Sequence, residues 1–267
     1  MNNNIRFELS FKNSSQLEDK LNFCKLNNIK NINIPCKGII KKDLFNSTIK
    51  YISKNYSEFK VTYHYSLYHQ YSKNKEKSYQ DFLDFVKSSQ NNKNYEILLV
   101  SGSNKKKNFD SVDVLAYLKK EKNLKVKLGI AYNPYLKKYY NVSSERERFE
   151  RKISTGLINS IWFQYGTDIK VLQNEVTYLK NVAKEEKLNL FGSLFIPSKQ
   201  FIARFKFRPW KEVYISEKCL YGLENFFDFT NDLVSFYKKY NITPVIESDF
   251  SSSEKLDSVY SFLENER

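Results

Sequence analysis

Ile97-Leu98-Leu99-Val100 runs directly into Ser101-Gly102-Ser103, an unbroken apolar stretch closed by a small polar turn. A half-exposed strand alternates apolar and polar residues, so this run describes a strand covered on both faces, as in a parallel sheet. Similar short β-branched and aromatic runs recur about eight times, each followed by an amphipathic stretch of helical period. That alternation predicts a closed (β/α)8 TIM barrel over residues 1–267 as a single domain, a size that suits a fold of about 250 residues.

Upstream, strands are expected at Ile5–Leu9, Asn31–Ile34, where Pro35 ends the run, and Phe59–Tyr63. Helices follow them at Ser14 or Ser15 (as cap) to about Asn27, at Lys42–Lys54 and at Tyr79–Ser88, with a long loop from Tyr65 to Ser78. Downstream, a helix starts at Asp110 and a strand covers Val126–Ala131. A helix then opens at a Ser143 or Ser144 cap and stops at Gly156, followed by a strand at Ser160–Phe163, a helix at Lys170–Glu185 and a strand at Leu190–Ile196. The last units are less regular: Leu223, Phe226, Phe227, Thr230, Leu233, Val234 and Tyr237 share one helical face ahead of a strand at Pro244–Ile246 and a helix at Ser252–Leu263.

The formal charge of +14 invites a nucleic-acid reading, but the lysines are scattered rather than massed, and the abundance of Lys, Asn, Ile, Phe and Tyr follows the bias of an AT-rich coding sequence. Nucleic acid is therefore the last-ranked partner. Cys24, Cys36 and Cys219 lie far apart with no CxxC pairing, so neither a disulfide framework nor a zinc site is encoded. No stretch approaches the roughly 18 apolar residues of a membrane helix, and the expectation is a soluble cytoplasmic protein without a membrane partner.

Barrel chemistry sits where strands end, which directs attention to Glu8, His64, Tyr132 and Gln164. A carboxylate inside the first strand is costly unless it reaches the barrel mouth or a partner, and such surroundings raise its pKa toward that of a general acid. The competing reading turns Glu8 outward onto a lysine. His64 is one of two histidines and ends the third apolar run, where ligand contact competes with a purely structural role. Arg146, Arg148 and Arg151 cluster in a chain that otherwise prefers lysine, which suits phosphate binding through the guanidinium fork; a helix face laced with pairs to Glu145, Glu147 and Glu150 explains them equally.

In this order the segments resemble the methylenetetrahydrofolate reductase family, (β/α)8 flavoproteins that reduce methylenetetrahydrofolate. The likeness runs from about Arg6 to Ile215. Phe7-Glu8-Leu9-Ser10-Phe11 is similar to the family's opening strand with its acidic glutamate. Val61-Thr62-Tyr63-His64-Tyr65-Ser66-Leu67 is similar to a segment with a flavin-contacting histidine, and Ile130-Ala131-Tyr132 with Pro134 to one whose tyrosine lines the flavin. Phe149-Glu150-Arg151-Lys152-Ile153-Ser154-Thr155-Gly156 resembles the helix whose lysine serves the cofactor phosphates, and Glu145 falls where the family has an acid on the cofactor's sugar. Phe163-Gln164 with Asp168 resembles the Thr-Gln-x-x-x-Asp segment, and Gly192 to Ser198 the Gly-Ile-x-Pro-x-Ser strand. Where the family has Leu-Arg-Gly-Asp this chain has Val100-Ser101-Gly102-Ser103, so both charges are gone, and no counterpart of the C-terminal Leu-Asn-Arg segment stands near Pro244 to Asp249.

The resemblance implies FAD reduced by NADH or NADPH and a folate-type substrate. Glu8 is then the acid; His64, Tyr132, Glu145, Arg151, Lys152 and Gln164 face the cofactor; Gln164 and Ser103 meet the substrate. The loss of the aspartate at Ser103 supports an alternative, a barrel that binds folate or assists methyl transfer without flavin chemistry. Both leave room for a homo-oligomer or a partner subunit.

Overall fold

The computed structural model describes residues 5–36, 42–90, 92–101, 109–121, 124, 126–136, 144–183 and 187–264. Eight strands close a parallel barrel in sequence order: β1 (Arg6–Glu8), β2 (Asn31–Ile34), β3 (Lys60–Ser66), β4 (Tyr95–Val100), β5 (Leu128–Tyr132), β6 (Ile158–Phe163), β7 (Asn189–Leu194) and β8 (Ile242–Ile246). Between them run α1 (Ser14–Leu26), α2 (Lys42–Asn55), α3 (Lys75–Ser89), α4 (Ser111–Leu118), α5 (Ser144–Ile153) and α6 (Ile169–Val182). After β7 come α7 (Lys199–Phe207), α8 (Glu217–Tyr221) and α9 (Leu223–Tyr240), and after β8 comes α10 (Ser253–Glu264). The chain packs as two compact units, one of Phe7–Ala131 with Arg148–Ser160 and one of Met1–Arg6, Tyr132–Glu147 and Ile161–Arg267.

In the unit that holds β2, β3 and β4, the register runs Asn33 to Thr62 and Thr62 to Glu96, with His64 opposite Leu98. Because side chains alternate along a strand, β3 splits into two sets. Val61, Tyr63 and Tyr65 pack outward on the helices, with Tyr63 edge-on to Phe45 of α2 and Tyr65 tilted on Phe82 and Phe85 of α3. Each such aromatic, fully buried, stabilises by about 1.5–3 kcal/mol. Thr62, His64 and Ser66 take the opposite face, where branched apolar residues ordinarily fill a barrel. Here that face is polar: Thr62 Oγ1 and Ser160 Oγ donate to the Glu96 carboxylate at 3.3 and 2.5 Å.

Several boundaries differ from the sequence expectation. β3 continues to Ser66, because Tyr65 and Ser66 pair with Leu99 and Val100, so His64 lies within a strand rather than just beyond one. α3 begins at Lys75, capped by Asn74, whose side chain accepts from the Lys77 amide at 2.8 Å. The expected long loop shrinks accordingly to residues 67–74. Asn13, not Ser14 or Ser15, caps α1 and accepts from Gln16 N at 3.0 Å. Asp110 caps α4 through the Val112 and Asp113 amides, and Gly156 stands beyond α5 at φ +71, where only glycine is unstrained.

In the other unit, Gly192 on β7 lets the Tyr237 ring of α9 lie against the strand backbone, where the Tyr237 hydroxyl donates to Ser193 O at 2.9 Å. Trp162 stacks on Phe191 at 4.0 Å, and the Arg6 guanidinium lies 5.7 Å from the Trp162 ring. On α9 the buried residues are Phe226, Thr230, Leu233, Val234, Phe236 and Tyr237, so Phe236 joins the expected face while Phe227 is only half-buried. All three cysteines are free and buried, and burial pushes the Cys24 thiol up to about 12. No helix among the described residues is long and apolar enough to cross a membrane.

Candidate functional site

Glu8 is the last residue of β1 and pairs with Asn33 of β2 in register. Only 7% of it is exposed. Its Oε2 lies 3.8 Å from His64 Nδ1, and Ser10 Oγ donates to its Oε1 at 3.4 Å. On the far side of the ring, Asn33 Nδ2 donates to His64 Nε2 at 3.2 Å. An imidazole that accepts at Nε2 carries its proton at Nδ1, which here faces the carboxylate. The strand pairing thus builds an amide, an imidazole and a carboxylate in series, an arrangement suited to holding a proton at Glu8 or His64. At the end of β4, Ser101 Oγ donates to Ser111 Oγ at 2.9 Å and accepts the Ser111 amide at 3.0 Å. Ser103 lies outside the described residues.

The remaining expected site residues stand as follows. Tyr132, at the end of β5, is 2% exposed, and its hydroxyl donates to Glu175 of α6 at 2.5 Å. Burial, then the hydrogen bond to Glu175, raises the phenol far above its usual range. The same carboxylate takes Arg146 through Nε at 3.0 Å and Nη2 at 2.8 Å, while the guanidinium covers the Tyr178 ring at 4.2 Å. Glu145 accepts from the Asn133 amide at 3.3 Å. Gln164 is exposed just past β6, tied by its backbone N–H to Tyr132 O at 2.9 Å, and Asp168 caps α6 through Val171 N. On α5, Lys152 is 4% exposed and Arg151 is exposed. Arg148 pairs with Asp110 at 2.5 Å. Arg146 thus bonds to α6 and Arg148 to the residue that caps α4.

The sequence reading missed a cleft of about 420 Å³ beyond the ends of β7 and β8. Phe195, Phe201 and Trp210 form its aromatic wall, with ring centroids 5.3 to 5.5 Å apart. Glu247, Arg204 and Lys255 supply charge. The Glu247 amide donates to Leu194 O at 3.0 Å, and its carboxylate accepts from Ser193 Oγ. Lys255 is held by Asp249 at 2.5 Å, whereas the exposed Arg204 guanidinium makes no ion pair among the described residues. Glu247 immediately follows the apolar run Pro244–Ile246, so the rule that singled out Tyr132 and Gln164 points to it as well. Arg204 and Trp210 are rare residue types in this chain, a second signal that went unused.

No protein-family model and no curated protein sequence matches the chain. Among solved structures, it is similar to an uncharacterized protein from Clostridium thermocellum that binds two copies of 5-methyl-5,6,7,8-tetrahydrofolic acid. The TM-score is 0.61 at 12% identity, over 97% of this chain and 93% of that one. It is also similar to active domain 2 of a thermostable chitinase from Pyrococcus furiosus, solved with chito-oligosaccharides, with a TM-score of 0.54 at 12% identity over 99% and 97% of the two chains. At such identities the likeness carries the fold, and the two neighbours' ligands differ in chemistry, so the ligand must be argued from the site. What the comparisons establish for this chain is the (β/α)8 barrel.

Proposed function

We propose that this protein binds a reduced folate and assists chemistry at the one-carbon unit it carries, with Glu8 as the acid. The observation that carries the reading is the buried Glu8 carboxyl beside His64 Nδ1, with Asn33 fixing the opposite ring nitrogen. A carboxyl so placed gives a proton to a ring amine of the ligand, and the Nδ1–H of the neutral imidazole faces the carboxylate left behind. In the other unit, taken by itself, the cleft past β7 and β8 carries groups that suit a folate. Phe195, Phe201 and Trp210 offer stacking area for its rings, Glu247 accepts from the paired N–H donors of a pterin edge, and Arg204 suits a glutamate carboxylate. The folate ligand of the C. thermocellum neighbour supports this choice.

Flavin fits less well. The resemblance puts Tyr132 and Lys152 against FAD, yet both are almost fully buried and the Tyr132 hydroxyl is taken by Glu175. Reduction through FAD with NADH or NADPH remains a second reading, favoured by Gln164, exposed where the resemblance expects a flavin and substrate contact. Flavin absorbance in the purified protein, released on denaturation, selects it over the first.

Trp210 lines the cleft, so its fluorescence tests folate binding directly. Saturable quenching by 5-methyltetrahydrofolate, lost in Trp210→Phe while calorimetric binding persists, is expected. No quenching and no heat up to about 1 mM ligand, a limit near −4 kcal/mol, overturns the proposal.

A further inference from the structure

The unit that holds Glu8 has a cavity of its own on the helix side of β3 and β4. It measures about 680 Å³, within the range of small-molecule sites, and lies between α2 and α3. It exists because the facing helix positions carry small side chains, Ser53 on α2 and Ser88 and Ser89 on α3, which leave the groove between the helices unfilled. Its floor is aromatic: Tyr65 and Phe85 lie 5.0 Å apart, and Tyr95 sits at the start of β4 with Tyr63 edge-on at 5.1 Å.

Charge is distributed unevenly along this groove. Asp81 lies toward the N-terminal half of α3, where Lys77 Nζ at 2.6 Å and Ser72 Oγ at 2.5 Å already occupy it, and Asp84 accepts from Gln80 at 2.8 Å. Lys50 of α2 and Lys93 of the α3–β4 turn also line the groove, Lys93 beyond the C-terminal end of α3. Both are exposed, and neither ammonium has a hydrogen bond or ion pair among the described residues. Beneath the floor the hydroxyls of Tyr95 and Tyr63 are buried and lie close to one another.

We infer that this α2–α3 groove is a binding site for an aromatic organic anion, whose ring lies on Tyr65, Phe85 and Tyr95 and whose acidic group pairs with Lys50 and Lys93. Asp81 is neutralised by Lys77, which leaves Lys50 and Lys93 set against Asp84 alone, a net positive charge that selects an anion over a cation, and the aromatic floor selects a flat apolar body over an inorganic ion.

The probe is 8-anilinonaphthalene-1-sulfonate, titrated by fluorescence into the folded protein. One saturable site is expected, weakened about 5-fold in Lys50→Ala/Lys93→Ala, where two exposed charge contacts are lost, and abolished in Ser88→Trp, which fills the groove. Folate-induced Trp210 quenching should be unchanged in both variants, so this test fails or succeeds independently of the folate reading. Binding of the probe that is unaltered in both variants, or that 5-methyltetrahydrofolate displaces competitively, overturns the inference.

Discussion

Replacing Tyr132 with phenylalanine removes one oxygen from the buried centre where Tyr132, Arg146 and Glu175 meet. The lost bond is a 2.5 Å contact from a phenol to a carboxylate that is itself buried. Hydrogen bonds to charged groups are worth about 1.5–3 kcal/mol, and Glu175 keeps its two bonds from Arg146, so no unpaired charge is created. A loss of about 2 kcal/mol follows, read as a lower urea midpoint with an unchanged slope. For a chain of this size that lowers Tm by about 4–8 °C. In a double-mutant cycle, Tyr132→Phe should cost almost nothing once Glu175→Leu, which has no acceptor, is present. Arg146→Ala should cost more than Tyr132→Phe, about 3 kcal/mol, because it takes both guanidinium bonds from a carboxylate that stays buried. The reasoning is refuted if Tyr132→Phe leaves stability within about 0.5 kcal/mol of the parent yet weakens ligand or flavin binding.

Asp110 gives the pH prediction. Burial alone would raise its carboxyl, but the bonds from Arg148 and from the Val112 and Asp113 amides outweigh that and hold it below the usual range. A depressed folded pKa favours the fold above the unfolded value of about 3.9, and that contribution is lost as pH falls through the lower folded value. Asp110→Asn keeps a helix cap and should cost under about 1 kcal/mol at pH 7, while flattening the fall in stability between neutral pH and pH 3 measured by urea titration. Gly192→Ala places a methyl group within 2.3 Å of the Tyr237 ring and should cost about 2–3 kcal/mol by thermal unfolding. An unchanged Tm there would mean that α9 does not lie on β7 as described.

The fold was legible because strand and helix periods alternate cleanly, and Asn31–Ile34 was bounded to the residue. The errors have physical causes. The start of β4 was missed at Tyr95-Glu96 because Glu96 is a polar residue on the inner face, where the apolar-run rule has no sight of it. Tyr65-Ser66 falls in the expected loop for the same reason, since the inward-facing His64 and Ser66 interrupt the apolar run. The α3 start lay hidden in Lys75-Glu76-Lys77-Ser78, which carries no apolar stripe and is set by the Asn74 cap.

The site was only half legible. Glu8 and His64 stood out as residue types rare in their setting, and the β1–β2–β3 register brings them together through Asn33. Tyr132 illustrates the limit of reading strand ends without parity. It shares its side of β5 with Leu128 and Ile130, so the two-residue period sends it to the helices rather than to the interior. The cleft of Phe195, Phe201, Trp210 and Glu247 is assembled from segments on either side of three helices, a juxtaposition that no local pattern encodes.

The claim that a reduced folate is the ligand is tested most directly by isothermal titration of the purified protein with 5-methyltetrahydrofolate, alongside Glu247→Gln. The account predicts saturable binding to the parent and affinity reduced about 10-fold or more in the variant, where the acceptor for the pterin edge loses its charge. No binding by the folded parent, with heat released instead by a chito-oligosaccharide, would contradict it.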